Sequence, residues 1–190
     1  GINHVKISAG YRLSYPDEKL FMFYLDEFET ELFDLPEGVY TCLIENEDCE
    51  EQILTPGIDD EIFSRTKVPM TKNEVRVLSI SRLELTKNAV VYDVGSGTGS
   101  VSIECARLSP DIFVFAIEQK EEAANLTKEN AVRFGLSDQI VVINKKAPEG
   151  FEELPTPTHV FIGGSSGALS DILSAIQKKL IVKENTKGKT

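Results

Sequence analysis

The residues best suited to holding a ligand are the glycines of Asp93–Ser100, DVGSGTGS. Glycine lets a backbone turn sharply and come close to a ligand that a side chain would keep away. The helix expected from Gly99 would aim its free N-terminal N–H groups at the same space. Glu118 lies 25 residues beyond Asp93, one strand–helix–strand unit on. A carboxylate at such a strand end can accept hydrogen bonds from both ribose hydroxyls of an adenosine. Loop, helix start and carboxylate together describe a site for an adenosine-bearing ligand. The spacing is G-x-G-x-G, tighter than the G-x-G-x-x-G that cradles a pyrophosphate. A purely structural turn in an inactive domain and a different nucleotide stay open as alternatives.

These residues need a frame, and the patterning after residue 54 supplies one. Thr71 and Glu74 have capping-box spacing for a helix running to about Leu83. Strands are expected over Ala89–Asp93, Ile112–Glu118, Ile140–Asn144 and His159–Ile162. Helices are expected over Gly99–Leu108, Lys120–Phe134 and Leu169–Leu180, with Gly135 stopping the second. In the third, apolar residues fall at 169, 172, 173, 176 and 180, a spacing that keeps them on one face. Alternating strands and helices with apolar strands predict an α/β domain, a mostly parallel sheet with helices on both faces. Four strand–helix units make only half of a doubly wound sheet. The domain is therefore expected to be truncated after the fourth unit, or to have its open edge covered by the N-terminal segment.

The N-terminal segment differs in kind. Glu45–Gln52, ENEDCEEQ, holds five carboxylates and no aliphatic residue, and Pro56-Gly57 follows. Such a run marks a solvated connection. The boundary is placed near Leu54, giving segments 1–54 and 55–190. Tyr15-Pro16-Asp17-Glu18 predicts a turn, and Val39–Ile44, VYTCLI, a short buried strand. About 54 residues form a thin basis for an independent core.

Composition narrows the function. The chain of 190 residues carries a formal net charge of -11, which speaks against a nucleic acid partner. It has no apolar run of membrane-spanning length and no signal-peptide core, so no membrane role and a cytoplasmic location are expected. Cys42, Cys49 and Cys105 form no C-x-x-C pair, and His4 and His159 are far apart, so no metal is expected. A homo-oligomer is expected from the open sheet edge.

The frame D-V-G-S-G-T-G is similar to the first motif of class I S-adenosylmethionine-dependent methyltransferases. Other segments narrow the resemblance. Val68-Pro69-Met70-Thr71-Lys72 with Glu74-Val75-Arg76, Val101-Ser102-Ile103-Glu104, Ala147-Pro148-Glu149 and Phe161-Ile162-Gly163-Gly164-Ser165 resemble, in order, the decarboxylating precorrin-6Y carbon-15 methyltransferases of cobalamin biosynthesis. Tyr11–Glu18, YRLSYPDE, resembles the closing part of the carbon-5 methyltransferase, which in some organisms is fused ahead of the carbon-15 enzyme.

That resemblance implies a Rossmann-like fold, S-adenosylmethionine as cofactor and a precorrin tetrapyrrole as substrate. The implied reaction methylates carbon 15 and decarboxylates an acetate side chain. Implied cofactor contacts are Thr71, Gly95, Ser96, Gly97, Thr98, Gly99, Glu118 and Ala147. Thr71 has an equally weighted role as helix N-cap. Gly163 and Gly164 would either admit the flat macrocycle or form a turn. Lys72, with Arg65 and Lys67, would either offset the charge of a polycarboxylate substrate or be ordinary solvated charge. The family's Gly-Asp-type pair ahead of Ala-Pro-Glu is here Lys145-Lys146, which puts adenine contacts there in question. No catalytic acid or base is identified; Glu104 is expected to face away on its helix and His159 to be a strand residue. The rivals are a class I methyltransferase acting on RNA or protein, and a non-catalytic interaction module retaining the fold.

Overall fold

The computed structural model describes residues 5–25, 36–46 and 55–187. Cys49, Leu54 and the acidic run beyond Asn46 lie outside them. The chain divides into two compact units, Gly1–Gln52 and Ile53–Thr190.

In the first unit, β1 (Val5–Tyr11), β2 (Lys19–Tyr24) and β3 (Tyr40–Asn46) form an antiparallel sheet in the order β2-β1-β3. The Tyr15–Glu18 turn forms: the Glu18 N–H donates to the Tyr15 carbonyl at 3.0 Å. Val5, Ala9 and Phe23 are buried. The strand expected over Val39–Ile44 exists, but it is not buried: Leu43 and Ile44 are exposed. It is an edge strand of a three-stranded sheet, which gives its side chains little to pack against.

The second unit contains α1 (Asn73–Leu83), β4 (Val90–Val94), α2 (Ser100–Arg107), β5 (Phe113–Ile117), α3 (Glu121–Arg133), β6 (Ile140–Ile143), β7 (His159–Ile162) and α4 (Leu169–Lys187). The four strands are parallel, in the order β6-β5-β4-β7. Successive side chains of a strand point to opposite faces, and the core divides accordingly. Val91, Val114 and Ala116 pack on one face with Ile80 of α1, Val101 and Ile103 of α2 and Ala131 of α3. Tyr92, Val94 and Ile117 pack on the other with Phe151 and Ile172 of α4. β4 is covered on both faces, which is why its sequence, VVYDV, is a near-continuous apolar run.

Element ends differ from the expected ones by one or two residues, except for α4, which runs on to Lys187. One local expectation is corrected. The capping box at Thr71 does not form: α1 starts at Asn73 with Lys72 at its N-cap and no side-chain cap bond. The Thr71 carbonyl instead accepts a 2.7 Å bond from Arg76, which draws the backbone inward ahead of the helix.

Ahead of α1 the chain forms a strap, residues 56–72. Phe63 docks it in the core against Phe134, with ring centroids 5.1 Å apart. A buried ionic cluster fastens its base. Arg76 is fully buried, donates to Asp60 at 2.7 Å and to the Ile58 carbonyl, and lies 3.4 Å from Glu104. Glu104 in turn accepts from the N–H groups of Gly57 and Ile58, at 3.0 and 2.9 Å. Glu104 therefore turns away from the glycine loop, as its helix position suggested, and is buried. It is buried because a carboxylate with these donors can be. Burial pushes the Asp60 carboxyl up, but Arg76 and Lys72 outweigh this and hold it below its ordinary value.

Candidate functional site

In an open parallel sheet, the crevice lies at the carboxyl ends of the strands where the strand order reverses. Here that point is between β4 and β7. A cleft of about 240 Å³ opens there. Gly95 and Gly97 line it from the β4 loop, Glu118 from the end of β5, Ala147 from beyond β6, and Gly163 and Gly164 from the end of β7. The strap closes one side with Val68 and Pro69.

The glycines are required sterically. Gly95 has φ 75°, and a Cβ there would lie 2.6 Å from the Gly164 carbonyl oxygen. Gly97 has φ 59°, and its Cβ would lie 2.8 Å from the Pro69 carbonyl oxygen. Any side chain at either position would push apart the walls of the cleft.

Glu118 is held by the backbone. Oε2 accepts from the Gly97 N–H at 3.1 Å, and Oε1 accepts from the Lys120 N–H at 2.9 Å. Each carboxylate oxygen has two lone pairs, so acceptor capacity remains for two hydroxyl groups. Asn144 donates to the Glu118 carbonyl at 2.8 Å and steadies the strand end.

The other expected contact residues stand differently. Ser96, Thr98 and Gly99 point below the loop rather than into the cleft. Ser96 Oγ lies 3.4 Å from Thr127 Oγ1, Thr98 is fully buried, and Gly99 caps α2 against Thr127. Thr71 is half-buried and outside the cleft lining. Lys72 borders a neighbouring hollow with Arg65, Thr66 and Met70 and pairs with Asp60 at 3.2 Å. Lys120, Lys145 and Lys146 line the cleft, and Lys145 also lies 3.6 Å from Glu153. That last pair is exposed and contributes little.

Asp93 lies beneath the loop, fully buried. Ser102 donates to its Oδ2 at 2.6 Å, while Oδ1 has no partner among the described residues. Burial pushes its carboxyl up to about 6, with the Glu118 charge adding and the Ser102 bonds opposing. Burial likewise raises the Cys105 thiol, with Asp93 and Glu104 adding, so this cysteine is a core residue and not a nucleophile.

Thr127 and Asn130 are loop-supporting residues that a motif search does not find. The signal was present: Ala123, Thr127, Asn130 and Ala131 share the helical stripe that faces the core, and two of the four are polar. Asp93–Ser102 and Arg76–Glu104 are pairs that join separate elements, for which one sequence has no cue.

The strand order, the glycine-lined crevice and the strand-end carboxylate define the class I methyltransferases, whose cofactor is S-adenosylmethionine. The bare backbone and the open acceptor sites of Glu118 fit that cofactor. Residues 61–185 match the family model described as the precorrin methyltransferase domain, and the chain belongs to that family. A protein of Pyrobaculum calidifontis, named as a probable cobalt-precorrin-6B C(15)-methyltransferase (decarboxylating), is 45% identical over 128 residues. That match covers 66% of each chain, so this chain spans just under two thirds of that relative's length. The crystal structure of a precorrin-6Y C5,15-methyltransferase from Geobacter metallireducens is similar with a TM-score of 0.62 at 38% identity, covering 66% of this chain and 65% of that one. The C-terminal domain of the precorrin-6Y C5,15-methyltransferase from Rhodobacter capsulatus is similar with a TM-score of 0.59 at 30% identity, covering 65% and 66%.

Proposed function

We propose that this chain transfers the methyl group of S-adenosylmethionine to carbon 15 of a precorrin tetrapyrrole, with loss of carbon dioxide from an acetate side chain. One observation carries the proposal: a glycine-lined cleft at the β4–β7 switch point, within the span that matches the family. The bound cofactor supplies an electrophilic methyl group on a sulfonium. Transfer to carbon is a direct displacement, and the protein's part is to hold donor and acceptor in line at near-attack distance. Glu118 accepts the ribose hydroxyls. Gly95 and Gly97 let the backbone come against the cofactor, and Ser96, Thr98 and Gly99 hold the loop's shape from below. Ala147 borders the cleft beyond β6 as a cofactor contact. Gly163 and Gly164 leave the end of β7 open to a flat macrocycle. Arg65 and Lys72, which border the hollow formed by the strap, meet substrate carboxylates, and Thr71, next to Lys72 in the chain, is a cofactor contact.

Residues 1–54 are proposed to be the closing segment of a carbon-5 methylase with an acidic linker, fused ahead of the carbon-15 domain. The proposed location is the cytoplasm; among the described residues no helix is long and apolar enough to cross a membrane. Calorimetry with S-adenosylhomocysteine and a methyl-transfer assay that also follows released carbon dioxide test the proposal. Cofactor-product binding with both methylation and carbon dioxide release is expected. Methylation of RNA or protein in place of the tetrapyrrole would overturn the substrate, and absence of binding would overturn the enzyme itself.

A further inference from the structure

Two separate segments must meet for the cleft to exist: the glycine loop and the strap. Val68 and Pro69 of the strap line the cleft opposite Gly97. One side chain bonds to both segments. Asn130 on α3 is fully buried. Its Oδ1 accepts from the Ser64 N–H at 2.8 Å, and its Nδ2 donates to the Ser64 carbonyl at 3.1 Å. The same Nδ2 donates to the Thr98 carbonyl of the glycine loop at 2.9 Å. One turn earlier, Thr127 donates to the Gly97 carbonyl at 3.0 Å. One turn earlier again, Ala123 lines the cleft itself.

We propose that Asn130 is a positioning residue for the cofactor cleft, setting the separation between the strap and the glycine loop. The inference rests on the cofactor assignment above. The chemistry favours this residue type. A carboxamide offers one acceptor and two N–H donors on a short stem, and all three are used here. Aspartate has the length but no donor, and would set an oxygen against two carbonyl oxygens. Glutamine has the groups but places them one carbon too far. The joint gives the cofactor's binding energy a route to order the strap. A ligand against Gly97 fixes the loop, the loop fixes the Thr98 carbonyl, and Asn130 carries that to Ser64, from which the strap runs on to Val68 and Pro69.

The test uses the 190-residue chain with S-adenosylhomocysteine as ligand. Asn130→Ala, compared at a temperature where both proteins are folded by circular dichroism, should bind at least tenfold more weakly. Its amides at 64–68 should exchange rapidly even at saturating ligand. A residue that only stabilised the fold would lower the melting temperature and leave affinity within twofold, and that result would overturn the proposal. If the variant does not fold, the unsubstituted chain decides. Ligand should slow exchange of the Ser64 amide at least tenfold, together with the Gly97 amide. Protection of Gly97 with no change at Ser64 would sink the coupling. No binding by the unsubstituted chain removes the cofactor assignment and this inference with it. Binding by the unsubstituted chain with an unmoved Asn130→Ala affinity removes the inference alone.

Discussion

Helices α2 and α4 both pack on the parallel sheet, yet they are buried to very different degrees. In α2 every residue from Ser100 to Ala106 is buried. In α4, among the residues whose burial is described, Ile172 alone is fully buried, while Leu169, Leu173, Leu180 and Ile181 are exposed, Leu173 by 53%. The two helices cover different places. α2 follows the central strand β4 and is enclosed by the strap, α1 and α3. α4 follows β7, the last strand in the sheet order. The apolar spacing of α4 reads as a buried face, but a face is buried only where a neighbour covers it. The side of the sheet that holds the glycine loop is closed by its own elements, and the β7 side is open among the described residues.

The sharpest way to break the closed side is at its narrowest contact. Gly97→Arg should abolish S-adenosylhomocysteine binding, because even its Cβ would lie 2.8 Å from the Pro69 carbonyl oxygen. Calorimetry is the check, and retained affinity would mean that strap and loop do not meet there. Core deletion compares the two sides directly. Ile103→Ala in α2 should cost about 2–5 kcal/mol by urea denaturation, the range for emptying a fully buried site. Leu173→Ala in α4 should cost less than about 0.5 kcal/mol. Similar losses would mean that α4 is covered in solution.

Asp93 tests the closed side by pH. Its carboxyl sits at about 6 in the fold against an ordinary 3.8. A raised value means that the fold favours the protonated form. The contribution is fully present below pH 3.8 and is lost as pH rises through 6. Asp93→Asn lacks this titration. The stability of the unsubstituted chain relative to Asp93→Asn should therefore fall by about 3 kcal/mol between pH 3.5 and 7, at roughly 1.4 kcal/mol per unit. A flat difference across that window would show that Asp93 is not desolvated. At Glu118 the effect on binding should be smaller than that of Gly97→Arg. Glu118→Ala should weaken S-adenosylhomocysteine binding by about 1.5–3 kcal/mol, the range for hydrogen bonds to a charged group. A loss below about 0.3 kcal/mol would mean that Glu118 serves only the Gly97 and Lys120 N–H groups.

The order of strands and helices, the glycine loop and the Glu118 carboxylate were legible in the sequence because each depends on neighbours along the chain. A strand's apolar run, a helix's spacing and a turn's glycines are set within a dozen residues of each other. The resemblance across Thr55–Leu180 added the family, because four motifs in order are far more specific than one. Part of what faces the cleft was not legible. Ser96 and Thr98 lie inside the motif but point beneath it, whereas Val68 and Pro69 arrive from a strap nearly thirty residues earlier. The Thr71 cap looked sound locally and lost to Arg76, which is drawn inward by Asp60 and Glu104. The side chains of Asn130, Arg76 and Glu104 bond to groups as far as 66, 28 and 47 residues away. Only the folded chain brings such partners within 3 Å or so, and burial then decides the outcome, because a polar group removed from water must find its partner wherever the fold supplies one.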